Sequence, residues 1–146
     1  MKRLFASLML ALALAAASPA SAAVQEFGSE TGRFTIDVPA GWKAVKMDNG
    51  VQVSSPSEDT SVSIIMSMTT FTDAGALARN LAGECGFTNP AIEKEDEGTY
   101  SISGMVDGQE IHMVVVLDEG RMGVITFAGK DLATVEKIID SITDKE

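Results

Sequence analysis

The chain has 146 residues, with 11 Lys and Arg against 21 Asp and Glu and a formal charge of −10. A single domain of this size buries roughly two thirds of its unfolded surface, so a core forms without staples, and the lone Cys excludes an intrachain disulfide. The scattered, outnumbered basic residues exclude a nucleic-acid binder, which needs clustered Lys and Arg to neutralise phosphates. They disfavour adhesion to an anionic membrane for the same reason.

Lys2 and Arg3 precede an apolar run over residues 4–17 broken only by Ser7, and Pro19, Ala20, Ser21 and Ala22 add a helix breaker and small residues. This is the pattern of a Sec-type signal peptide over residues 1–22, cut after Ala22. The run falls short of the ~20 apolar residues that span a bilayer as a helix, and no Cys stands at the cut to take a lipid. The expected product is one globular domain over residues 23–146, periplasmic or secreted. It carries two basic groups fewer than the whole chain and makes no stable membrane insertion after cleavage.

A short strand is expected over residues 24–27. Phe34, Ile36 and Val38 alternate with Thr35 and Asp37, a half-buried strand stopped by Pro39 and Gly41. Residues 42–47 read as the next strand, Asn49 and Gly50 as a two-residue hairpin turn, and Val51 and Val53 as the return. After a polar loop, Val62, Ile64, Met66 and Met68 share one face of a strand whose other face carries Ser61, Ser63 and Ser67. The period then changes from 2 to 3.6. Ala74, Leu77, Ala78, Leu81, Ala82 and Cys85 draw one apolar stripe on a helix, with Thr72 or Asp73 to cap it and Gly86 past its end.

Residues 91–97 are read as a strand after a loop through Asn89 and Pro90. Residues 100–106, 109–117 and 121–129 form a meander turned by Asp107-Gly108 and by the three residues 118–120. Asp131 caps a closing helix with Leu132, Val135, Ile138, Ile139 and Ile142 on one side.

Parity sets the layers. Ile111, Met113, Val115 and Leu117 point one way, and His112, Val114 and Val116 the other. Leaving either set in water forfeits ~1.5–3 kcal/mol per side chain. The strands over residues 109–117 and 121–129 are therefore expected to be central and covered on both sides, and those over 34–38, 61–68 and 100–106 to lie nearer the edges. The expected fold is α+β: a three-layer α/β/α sandwich with a mostly antiparallel sheet of six to seven strands and one helix on each face. Both helices on one face is the alternative.

Phe34-Thr-Ile-Asp-Val-Pro-Ala-Gly-Trp42, followed by Gly50-Val-Gln-Val-Ser-Ser-Pro56 and Ser61-Val-Ser-Ile-Ile-Met66, resembles the opening of Mog1/PsbP-like domains. The later order of helix, meander and final helix is similar too. The resemblance implies an α/β/α sandwich and a non-catalytic binding or accessory role. Superfamily members serve as a photosystem II extrinsic subunit, a partner of a nuclear GTPase and a bacterial envelope protein. No functional motif of theirs matches here, so no site residue carries over.

No residue is assigned a catalytic, cofactor-binding or metal-ligating role. Cys85 reads as a buried, inert thiol on the helix stripe, with an intermolecular disulfide as the alternative, since Glu84 beside it offers no cation to activate it. His112, the single His, reads as a core or half-buried residue, because zinc needs three or four ligands. Glu93, Glu95 and Glu97 read as one solvated face, and Glu58-Asp59 and Asp118-Glu119 as loop charges without a calcium-loop spacing. The many Met residues read as core filling, and Met47 and Met68, at strand ends, are the ones to check for exposure. Phosphate-cradling and nucleophile-elbow patterns are absent. The sequence thus points to an exported, non-enzymatic domain without a cofactor, acting through a protein partner in the cell envelope. The alternative is a small-molecule or metal-ion binder using the acidic loops or a Met-lined pocket.

Overall fold

The computed structural model describes residues 23–145; the expected leader over residues 1–22 and its cleavage point lie outside them. β1 (Ala23–Phe27) pairs antiparallel with β2 (Phe34–Val38), whose Phe34, Ile36 and Val38 are buried while Asp37 is exposed. β3 (Lys43–Met47) and β4 (Gly50–Ser54) form a hairpin, and β5 (Thr60–Met68) follows beside β4. α1 (Ala74–Glu84) leads into β6 (Thr88–Asp96), β7 (Thr99–Val106), β8 (Gln109–Asp118) and β9 (Arg121–Gly129), each antiparallel to the last. α2 (Leu132–Asp140) and the two-residue β10 (Thr143–Asp144) close the chain. No helix among the described residues is long and apolar enough to cross a membrane.

The main sheet has seven strands in the order β3-β4-β5-β9-β8-β7-β6, and a second sheet has three in the order β1-β2-β10. The expected α+β class, strand number and helix count hold. The helices take opposite faces. On β8 Val115 joins the cluster under α1 with Leu77, Ala78 and Ile102, whereas its neighbour Val114 joins the cluster under α2 with Val135 and Ile138. Consecutive strand residues point to opposite faces, and Val124 and Ile125 on β9 divide in the same way.

Two placements depart from the expectation. β2 is not an edge of the main sheet. It is the middle strand of the small sheet, laid on the main sheet's α2 face with Phe34 and Ile36 fully buried. β5 is interior, paired along its length with β9. Its polar face lies on the α1 side of the sheet but beyond the reach of α1, which packs mainly on β6, β7 and β8. Coverage is therefore diagonal: α1 covers one half of one face, and the small sheet with α2 covers the other half of the opposite face. At the bare end of β8, Val116 is 37% exposed, so that strand is not covered on both sides throughout.

The turns follow their local chemistry with one exception. Val106 pairs with Gln109 and Asp118 with Arg121, so Asp107-Gly108 and Glu119-Gly120 are both two-residue turns with positive φ at each position. The second is one residue shorter than the three-residue turn expected from sequence. In the first hairpin Met47 pairs with Gly50, so the turn is Asp48-Asn49 rather than Asn49-Gly50. Gly50 is a buried strand residue, and a Cβ there would run into the Ile64 carbonyl. On the edge strand β6, Asn89 takes positive φ where the register shifts between Thr88 and Ala91, so the expected loop is a bulge inside the strand.

Candidate functional site

Three connections meet at one end of the main sheet: residues 69–73 between β5 and α1, the β6–β7 turn at Glu97-Gly98, and the β8–β9 turn at Glu119-Gly120. Backbone bonds fasten them together, with Thr69 N–H donating to the Gly120 carbonyl at 2.9 Å and Leu117 N–H to the Gly98 carbonyl at 2.8 Å. Between them lies a cleft of about 620 Å³ with Phe71, Tyr100 and Leu117 among its lining. Asp73, Glu97, Asp118 and Glu119 line it as well, and Lys94 is its one basic group. Lys94 Nζ lies 3.6 Å from Glu97 Oε1, so three carboxylates face the cleft with no cation opposite. Asp73 also caps α1, its Oδ1 accepting the Gly75 amide at 3.0 Å.

The field around the cleft has the same sign. Residues 69–120 carry ten carboxylates against Arg79 and Lys94, whereas the remaining described residues carry seven basic groups against ten carboxylates. Charge is thus polarised toward the half of the molecule built from α1 and β6 to β8. Such asymmetry steers a basic partner by long-range Coulomb attraction that salt screens. Among the described residues no group of three or more His, Cys, Asp and Glu could hold a metal ion.

The residues singled out from sequence are dispersed. Cys85 is exposed, which corrects its expected burial. α1 ends at Glu84, and the chain reverses through Gly86 so that Phe87 packs on the α1 cluster instead. The Phe87 amide donates to Ala82 and the Gly86 amide to Gly83, the paired bonds of a left-handed helix stop. The Cys85 thiol is pushed up from its ordinary value, chiefly by desolvation and further by Glu84, which opposes thiolate formation. His112 is half-buried, as expected, and lies on the sheet face opposite α1. Glu93 and Glu95 share that face, Glu95 accepting the Ser101 hydroxyl at 2.7 Å. Glu97 does not join them, because the register shift between Lys94 and Asp96 and the following turn set it at the rim of the cleft, where its side chain is 93% exposed. Met113 fills the core as expected, whereas Met47, Met68 and Met105 are 38%, 53% and 43% exposed and correct that reading, since each lies near a strand end where the cover stops.

A polar knot has no signature in the sequence. Asp59 Oδ1 accepts the hydroxyls of Ser55 and Thr60, both at 3.1 Å. The Thr60 hydroxyl oxygen accepts the amides of Lys130 and Asp131, each at 3.0 Å. The hydroxyls of Ser57, Thr60 and Ser55 hold the Asp59 carboxyl below its usual range. This loop acid ties β5 to the start of α2 and stands apart from the cleft.

No family model and no curated protein matches the chain. Among solved structures it is similar to the solution structure of cyanobacterial PsbP (CyanoP) from Synechocystis sp. PCC 6803, with a TM-score of 0.51 and 14% identity over 84% of this chain and 92% of that one. At that identity the likeness is one of fold, and at that level the resemblance to Mog1/PsbP-like domains holds.

Proposed function

We propose that residues 1–22 are a cleaved export leader and that the single domain over residues 23–146 is a non-enzymatic accessory module. It binds a protein partner in the periplasm or cell envelope through the carboxylate cleft. The observation that carries this is the convergence of Asp73, Glu97, Asp118 and Glu119 on one cleft with a single, already paired cation. Such a cleft accepts Lys or Arg side chains of a basic partner segment. Asp118 and Glu119 sit at the tip of the β8–β9 hairpin, a position that can reach a partner without unfolding anything. The PsbP-like fold agrees with a binding role.

Cross-linking the full chain in envelope fractions tests the reading. A defined basic partner should be recovered at low salt, lost at high salt, and lost with the Asp118→Lys, Glu119→Lys double variant. Recovery indifferent to salt and to both substitutions would sink it, and retention of the chain in the cytoplasm would sink the export component. A second reading fills the same cleft with a small cationic molecule, since about 620 Å³ suits a small ligand. Calorimetry with a polyamine, calcium, copper and zinc separates the two, and flat traces remove the second.

A further inference from the structure

The face of the main sheet opposite α1 is covered only over β3, β4, β5 and β9, and its β8–β7–β6 half is bare. Along the boundary runs an apolar groove in two consecutive parts. One, of about 410 Å³, is lined by Val114, Phe127, Leu132 and Ile139. The other, of about 300 Å³, is lined by Val116, Ile125, Ile142 and Met66. Each pair steps to the next along its own element. Val114 and Val116 are two apart on β8, Phe127 and Ile125 two apart on β9, and Ile142, just past the end of α2, follows Ile139 by three residues. The parts therefore form one furrow beside α2. Leu132 and Val116, toward its two ends, are 41% and 37% exposed.

The bare half is two strand spacings wide, roughly 10 Å, which is the diameter of one α-helix. Its length from His112 to Val116 is about 13 Å, or two to three helical turns. The borders are acidic: Glu136 and Asp140 on α2, Glu93 and Glu95 across the strands, and Asp118 at the far end. The basic group lining the furrow, Arg121, faces Asp144 at 3.9 Å.

We propose that this furrow receives an amphipathic helix of a protein partner, apolar on one side and flanked by Lys or Arg, which lies beside α2 and completes the half-built layer. The inference rests on the protein-contact reading above but uses a different surface, which meets the cleft at Asp118.

The test uses the whole mature chain and a synthetic twelve-residue amphipathic helix with a Leu face and Lys flanks. Its controls are a scrambled peptide of the same composition and a version with Glu flanks. Amide shift mapping should place the Lys-flanked peptide on Val114, Val116, Phe127, Leu132 and Ile139, and binding should fall at least tenfold in the Val116→Lys, Leu132→Lys double variant. Both substituted positions are exposed, and an unchanged urea midpoint confirms that the variant is folded. Equal binding of the scrambled or Glu-flanked peptide overturns the proposal. So does mapping to the carboxylate cleft, or self-association in sedimentation that covers the furrow with a second copy. If the envelope partner is still captured by the double variant, this proposal fails while the protein-contact reading stands; loss of capture only in a Glu97→Lys, Glu119→Lys variant, which alters the cleft and leaves Asp118 of the furrow in place, has the same consequence.

Discussion

His112 lies nearly flat on Phe127, with ring centroids 5.3 Å apart and planes inclined by 18°. Its Nε2 is 3.7 Å from a Glu110 carboxylate oxygen. The stack places the imidazole on the α2 side of the sheet, whereas Cys85 follows a helix packed on the other side. A seven-stranded sheet stands between the only thiol and the only imidazole of the chain. They cannot form a nucleophile and base pair, which requires hydrogen-bond reach. The role visible for His112 is to shield Phe127.

Replacing His112 by Phe should keep the stack and leave stability within ~1 kcal/mol of the parent. Replacing it by Ala uncovers Phe127 and should lower the urea midpoint. Equal loss in both variants would mean that the Glu110 contact, not stacking, holds the ring.

Thr60→Val keeps the shape of a residue that is 1% exposed but strands the amides of Lys130 and Asp131. Unpaired groups of this kind cost ~1–3 kcal/mol each, so a loss of about 2–4 kcal/mol is expected in urea unfolding. Thr60→Ser should recover most of it.

Asp59 sets the sign of one pH effect. Its folded carboxyl titrates below the ordinary value of 3.8. Its stabilising contribution is therefore fully present above that pH and disappears as pH falls through the lower folded value. The stability difference between the parent and Asp59→Asn should be constant near neutrality and shrink below about pH 4. A difference that grows on acidification would contradict the hydroxyl network.

Gly50→Ala should destabilise, because the new methyl meets the Ile64 carbonyl of the neighbouring strand. Overpacking of this type costs ~1–3 kcal/mol. Substituting Asn49 by Ala should cost much less, since the turn has no positive-φ residue; thermal unfolding compares the two.

Cys85 should react slowly with iodoacetamide at neutral pH despite its exposure, because its pKa is raised by desolvation and by Glu84. The rate should climb with alkalinity, and Glu84→Gln should speed it at a fixed pH. No change in that variant would leave desolvation alone as the cause.

Strands β1 to β9, both helices, the cap at Asp131, the choice of Thr72 or Asp73 as the other cap and the Asp107-Gly108 turn are legible in the sequence, whereas β10 is not and Ile142, expected on the closing helix, lies past its end. Each legible feature is specified within a few residues by period, capping side chain or positive φ, and parity on β8 and β9 demands apolar cover on both faces. Tertiary structure alone decides that β2 leaves the main sheet and that each face is covered only by half. It also decides that Cys85 is exposed where Phe87 takes its place. The cleft shows the divide most clearly: Asp118, Glu119 and Glu97 are visible in the sequence as isolated charges, but only strand register brings their turns beside the start of α1. The Thr60 knot joins residues 70 and 71 positions apart. Local conformation is governed by neighbours along the chain, whereas docking depends on which distant surfaces bury each other best, and no short window of residues contains that comparison.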